Sequence, residues 1–447
     1  MMKKFIYLLI CTLFVFTSCS DDNNDDGNYK TFSVTVQLTY PAESNYKAVE
    51  GVSVKLDSKS GSGSYEAKTD GSGKAVLAVP AGIYDISATE RRFISNQRIN
   101  FNGIKTGLVV NDSWTAANIQ ELELQFSKSA QIVIKELYVG GCPKDDGSGT
   151  FNYDKYVVLY NNSEEDANVG KMALAMTMPY NSTGTNNYYD AGGQLTYANQ
   201  GWIPAGQGLW YFQQDVVVSP GKQIVVALSN AVNNTITYSK SINFDNPEYY
   251  CTYDNTVYTH ALTYPAPAAS IPTSHYLKAV SYGAGTAWAL SALCPAFYLF
   301  TPDGTTVKDF ANDASKNDSY GGSSVLQSKK VPLEWITDGI EVFTTSLDDN
   351  RKRLTSTVDA GYVYYTNKQG YSVYRNVDKE ATEAIEGNKA KLIYGYNLGT
   401  TNVTKGSTDP SGIDAEASIK NGARIIYKDT NNSSEDFHQR SQASLRK

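Results

Sequence analysis

In the stretch TFSVTVQLTY, Phe32, Val34, Val36 and Leu38 alternate with polar residues. A two-residue apolar period puts every second side chain on one face, which predicts a strand with one side buried. The period returns in GVSVKLDSKSGSGSYEAKTDGSGKAVLAVPAGIYDISATE. There Val52, Val54 and Leu56 alternate, Asp70-Gly71 turns the chain, Ala75, Leu77 and Val79 alternate again, and Pro80-Ala81-Gly82 leads into Tyr84, Ile86 and Ala88. Short strands spaced about eight to twelve residues apart predict an antiparallel sandwich. From Ala130 onward QIVIKELYVGG, KYVVLYNN, WIPAGQGLWYF and VVVSPGKQIVVAL are strands broken by Gly and Pro turns. With 33 Tyr and 35 Gly in 447 residues, the composition favours strands and turns over helices. The expected fold is all-β, with two or more antiparallel β-sandwich domains at 31–128 and 129–447, the second carrying loop insertions.

The amino terminus sets an address. Phe5 to Phe16 is almost unbroken apolar sequence behind Lys3 and Lys4, and it is shorter than the roughly 20 residues a spanning helix needs. It reads as a signal peptide over 1–18. Phe16-Thr17-Ser18-Cys19 resembles the bacterial lipobox, which implies that Cys19 becomes the first mature residue and is acylated. Two or three acyl chains, at about 0.8 kcal/mol per buried methylene, hold a protein on a membrane permanently. Ser20 to Asn28 has no apolar residue, so 19–30 is expected to be a tether reaching about 17 Å on average as a flexible coil. Its Ser-Asp-Asp start resembles the acidic export tag of Bacteroidetes lipoproteins, which implies exposure on the outer face of the outer membrane.

Three further resemblances rest on longer stretches. Gly51-Val52-Ser53-Val54, Thr69-Asp70-Gly71-Ser72-Gly73 and Pro80-Ala81-Gly82-Ile83-Tyr84 resemble the carboxypeptidase-regulatory-like, or transthyretin-like, module, a spacer or docking domain in that family. Ile132-Val133-Ile134, Tyr156 to Asn161 and Val218 to Val226 resemble the lamin-tail domain, with Val157 and Val158 standing where that family carries an acidic residue. GYSVYRNVDKEATEAIEGN and GIDAEASIKNGARIIYKDTNNSSEDFHQRSQASLRK resemble the carboxy-terminal part of a family of Bacteroidetes surface lipoproteins. That resemblance implies an accessory to a TonB-dependent outer-membrane receptor.

Chemistry-bearing residues are sparse. The net charge is −7 and no basic stripe exists, which speaks against a nucleic-acid partner. Cys142, Cys251 and Cys294 remain after the signal and Cys19 are set aside, enough for one disulfide in any of three pairings. His260, His275 and His438 lack metal-ligand spacing, so neither a metal site nor a Ser-His hydrolase is expected, and no cofactor is read. KDTNNSSEDFHQR gathers Asp429, Asn431, Asn432, Glu435 and Asp436, but without the Gly of a calcium loop. It reads as a self-bonded turn with Phe437 in the core. Asp145 and Asp146 read the same way. Arg351, Lys352 and Arg353 form a tight basic cluster, expected on a solvated loop.

The long Gly- and Asn-rich stretches STGTNNYYDAGGQLTYANQGW and NFDNPEYYCTYDNTVYTH carry rigid aromatic area of the kind recognition loops use. Tyr188, Tyr189, Trp202, Tyr249, Tyr250 and Tyr253 are therefore the candidate ligand-binding residues, and covering the open end of a sandwich is their structural alternative. The expected function is a non-catalytic surface lipoprotein that binds a ligand or partners a TonB-dependent receptor in nutrient or metal-complex uptake. An adhesin or structural component binding proteins or glycans is the alternative.

Overall fold

In the computed structural model, residues 30–41, 46–48, 50–59, 63–94, 97–344, 350–402 and 406–446 are described. The segment 1–18, Cys19 and the acidic stretch up to residue 29 lie outside them.

The chain is all-β with only short helices. Its first eight strands are β1 (Thr31–Thr39), β2 (Ser53–Ser58), β3 (Ser64–Lys68), β4 (Lys74–Pro80), β5 (Gly82–Ile94), β6 (Gln97–Val110), β7 (Ile119–Glu123) and β8 (Gln125–Lys128). They form two sheets, ordered β4-β1-β7 and β3-β2-β5-β6-β8. The alternation seen in the sequence is the burial pattern. Val34, Val36, Val54, Leu56, Leu77, Val79 and Ile86 point into one core, which draws on residues 32–124 alone. Gly103 on β6 is required by close approach, because a Cβ there would stand 2.9 Å from the Glu123 carbonyl and 2.8 Å from the Leu124 side chain. The strictly antiparallel expectation fails at one seam: β1 pairs antiparallel with β4 but parallel with β7. The long excursion through β2 to β6 brings the chain back to the same end of the sheet before β7 starts.

Some of the remaining strands form small sheets of two or three strands, and the other twelve build one sheet. In spatial order it runs Val363–Tyr364, Ile336–Phe343, Ala296–Phe300, Ala173–Met176, Gly208–Tyr211, Tyr276–Ser281, Tyr250–Thr252, Gln223–Ala227, Tyr156–Asn161, Ile132–Tyr138, Ser372–Arg375 and Phe437–Arg440. Three pairs in it are parallel, at Gln223–Ala227 with Tyr250–Thr252, Tyr250–Thr252 with Tyr276–Ser281, and Ile336–Phe343 with Val363–Tyr364. The sheet is therefore mixed. Long irregular connections, including the Tyr-rich stretch after Phe244, make the crossovers that parallel pairing needs. Ile132–Tyr138, Tyr156–Asn161 and Gln223–Ala227, each read from the sequence as a strand, pair antiparallel in that order.

The sheet curls around one core. Val363 from one edge strand and Phe437 from the other share a cluster with Ile340, Phe297, Leu174, Trp210, Leu277, Val226, Val157, Ile134 and Val373. Further clusters cover the outer face, so Ile132–Tyr138 and Ala296–Phe300 are buried along their whole length. Two-sided burial explains why Ala296–Phe300 reads as a continuous apolar run, while Ile132–Tyr138 carries the buried Lys135 and Glu136 in its middle. No helix among the described residues is long and apolar enough to cross a membrane.

Candidate functional site

The outward faces of β2, β3 and β5 are polar because their alternate residues serve the core. Register places Lys55 between Glu66 and Ser87, and Ser53 between Lys68 and Thr89. This floor is roofed by Glu380 and by the segment carrying Lys428, Thr430, Asn432 and Glu435, leaving an open cleft of about 480 Å3. Three Lys and three Glu line it together with hydroxyls and an amide. Such a lining suits a polar ligand held by hydrogen bonds.

Polar contacts fix the cleft's geometry. Asn100 Nδ2 donates to the Asp429 carbonyl at 2.8 Å, Asn432 Nδ2 donates to Thr89 Oγ1 at 2.8 Å, and Asn102 bonds the Thr430 carbonyl. The Lys55 ammonium donates to the Glu435 carboxylate, and Lys428 Nζ stands 3.8 Å from its other oxygen. Burial pushes the Glu435 carboxyl up, but Lys55 outweighs it, so the group stays below the ordinary carboxylate range and remains charged.

Asp429 and Asp436, read from the sequence as turn-formers, are spent in the interior. Asp436 Oδ2 accepts from Thr430 N and Oδ1 from Thr430 Oγ1, both at 2.7 Å, and Phe437 is buried. Arg375, 1% exposed, gathers Asp338, Asp429 and Asp436 around one guanidinium and also donates to the Ile134 and Lys428 carbonyls. Its single positive charge sits at the centre of the cluster and faces all three carboxyl groups. Asp146 accepts from Ser148 N two residues on, as a turn residue does, whereas the turn reading is corrected for Asp145, which accepts from Ser239 N and Oγ 94 positions away and ties two loops together. Among the described residues no group of three or more His, Cys, Asp or Glu is placed to hold a metal ion.

The basic triplet is not a solvated loop. Arg351 is exposed, but Arg353 is fully buried and Lys352 nearly so. Arg353 Nε bonds Glu341 Oε1 at 2.9 Å, its Nη1 reaches the Pro179 and Tyr180 carbonyls, and its Nη2 reaches that of Cys294. Lys352 Nζ bonds Glu341 Oε2 at 3.1 Å. Glu341, an acid set between Ile340 and Val342-Phe343 in the strand Ile336–Phe343, was the available signal: a charge flanked by apolar residues on a buried strand calls for a buried partner.

The aromatic candidates divide. Tyr188 is 7% exposed and its ring meets Tyr197 at 5.0 Å, Trp202 at 6.2 Å and Tyr320 at 5.2 Å, while its hydroxyl donates to Asp318 at 2.7 Å. Tyr189 is half-buried and donates to the Lys352 carbonyl at 2.8 Å. Together with the half-buried Trp202 these rings complete a core against Tyr298 and Phe300. Tyr250 stacks on His275 at 4.1 Å, and Tyr253 meets Tyr276 at 5.4 Å. Tyr249 and Tyr253 pack on a different cluster, containing Tyr156 and Phe244. The two loops thus serve separate cores, and the open ligand surface expected of them is corrected to packing for Tyr188. None of the three pairings that the sequence allows is formed: Cys142, Cys251 and Cys294 are buried free thiols. Burial, with Asp154 alongside, pushes the Cys142 thiol up to about 12.

Fold and site define an all-β protein of several sheets with a polar cleft where the first core meets the second. Residues 219–394 match the family model "Protein of unknown function (DUF4876)". The crystal structure of a DUF4876 family protein from Bacteroides thetaiotaomicron is similar in fold, with a TM-score of 0.51 at 18% identity over 91% of this chain and 94% of that one. The major pilin subunit of Bacillus cereus aligns at 12% identity over 72% of this chain and 98% of that one, with a TM-score of 0.15 that carries no argument. No curated protein matches the chain.

Proposed function

We propose that the protein is a non-catalytic lipoprotein, anchored through Cys19 to the outer membrane with its body outside the cell, that binds a polar ligand in the cleft between β2, β3, β5 and the Lys428–Glu435 segment. The cleft is the observation that carries this reading. Its charged groups converge on an open volume, whereas Arg375, Glu341 and Arg353 are closed into packing. The lipid confines the body to the membrane plane, where effective concentration supplements intrinsic affinity. A TonB-dependent receptor taking up nutrients or metal complexes is the proposed partner. Residues 31–128 act in this reading as a carboxypeptidase-regulatory-like docking module, supported by their two-sheet sandwich, and the lamin-tail-like likeness is proposed for the three neighbouring strands of the body.

Affinity capture of the tagged protein from membranes in mild detergent tests the partnership. The expected result is recovery of a β-barrel receptor, weakened by the cleft variant Lys68→Glu. Recovery of no β-barrel protein contradicts it.

A further inference from the structure

Lys135 is buried inside the sheet, 1% exposed, on the strand Ile132–Tyr138. The adjoining strand shifts register between Val158 and Leu159, opposite this position, and its Tyr160 pairs with both Val133 and Gln223. The Lys135 side chain therefore reaches across one strand to a carboxamide on the next. Its Nζ stands 2.6 Å from Gln223 Oε1 and 2.6 Å from Glu416 Oε1, the latter on the helix Ala415–Lys420. The Tyr374 and Tyr427 rings lie 5.6 and 5.8 Å from the same nitrogen, and the Tyr374 hydroxyl donates to Glu416 Oε1 at 2.8 Å.

A buried ammonium has three donors. Here two of them meet a carboxylate and a carboxamide oxygen, which places the carboxamide carbon one bond beyond the hydrogen-bonded oxygen and a proton acceptor on the same nitrogen. We propose that Lys135 and Gln223 become joined by an intramolecular isopeptide bond, with Glu416 carrying the protons. Glu416 takes one proton from the Lys135 ammonium as the bond forms. At rest burial pushes the Glu416 carboxyl up, but the Lys135 charge and the Tyr374 hydroxyl outweigh it and hold the group below the ordinary carboxylate range, so the transfer runs uphill and is drawn forward by the loss of ammonia. The amine lone pair adds to Gln223 Cδ, forming the Nζ–Cδ bond and placing negative charge on Oε1. Glu416 delivers its proton to the amide nitrogen, the Cδ–Nε2 bond breaks as the carbonyl reforms, and ammonia leaves. The second proton on Nζ passes back to Glu416 and on to solvent. No oxidant, reductant or added reagent enters the balance.

Two further features suit the step. Gln223 is exposed on its outer side, which gives ammonia an exit, while Tyr374 fixes the carboxylate. Holding nucleophile, electrophile and base together substitutes for concentration, as intramolecular reactions do. The bond would tie Gln223–Ala227 to Ile132–Tyr138 across the strand between them. The three cysteines of the body are free thiols, so disulfides do not supply that bracing.

Mass spectrometry of the purified full chain, followed by tryptic mapping, tests the proposal. The expected result is a chain one ammonia lighter than the calculated mass of its processed form, with a branched peptide joining the Lys135 and Gln223 segments. Lys135→Arg and Glu416→Gln, each checked for folding by circular dichroism, should restore the full mass. An intact Lys135 and Gln223 in the wild-type chain, or conversion of Gln223 to glutamate without a branch, overturns the bond. A branch persisting at undiminished yield in folded Glu416→Gln overturns the assignment to Glu416.

Discussion

Arg353 has no exposed surface, and its guanidinium is bonded to Glu341 and to three carbonyls. Removing one partner of a buried pair leaves the other charge uncompensated, so Arg353→Ala should cost about 3–5 kcal/mol in urea unfolding. Exposed Arg351→Ala two residues earlier should stay within about 0.5 kcal/mol. His438 gives a pH prediction. Its Nδ1 and Nε2 bond Asn376 and Tyr396, and burial, with Arg440 nearby, lowers its pKa from 6.5 to about 3. The folded state then binds fewer protons than the unfolded one between those values, so this stability is complete above 6.5 and is lost as pH falls toward 3. The contribution is on the order of 5 kcal/mol at neutral pH. Asp338 acts with the opposite sign: burial pushes it up to about 7, so its contribution is present at low pH and fades as pH rises through that value. Melting curves of wild type and His438→Asn across the acid limb isolate the histidine, and the variant should show the shallower loss.

At the scale of elements, the alternating residues of β1, β2 and β4 were legible because each strand has one face in a core and one in water. The twelve-stranded sheet was legible as strands but not as an arrangement. Tyr156–Asn161 is buried on both faces, so its sequence carries no period to say which neighbour lies where, and the parallel crossovers pass through loops without a helical signature. Tyr188 was placed on a ligand surface for a related reason: composition records aromatic area but not which way it faces. Tyr188 sits among Tyr197, Trp202 and Tyr320, so Tyr188→Ala should cost about 3 kcal/mol and lower the melting temperature clearly. An unchanged melting temperature with weakened ligand binding would return that ring to a recognition role.

For the whole molecule, the cleft was beyond sequence reading because its walls are separated by most of the chain; Lys55 and Glu435 are 380 positions apart. Local periodicity describes each wall and is silent on their meeting. The junction is held by amides, hydroxyls and that ion pair, while the core of residues 32–124 contains no residue of the body. Reversing the charge with Lys55→Glu should therefore loosen the junction without unfolding either core. Limited proteolysis near Ser129 should speed up while the unfolding transition of each core persists. The anchor is the claim on which the functional account rests, and labelling of intact cells with a membrane-impermeant amine reagent, comparing wild type with Cys19→Ala, tests it most directly. The account predicts labelled wild-type protein in the outer-membrane fraction and release of the variant from the membrane. Wild-type protein shielded from the reagent, or a variant that stays in the membrane fraction, contradicts it.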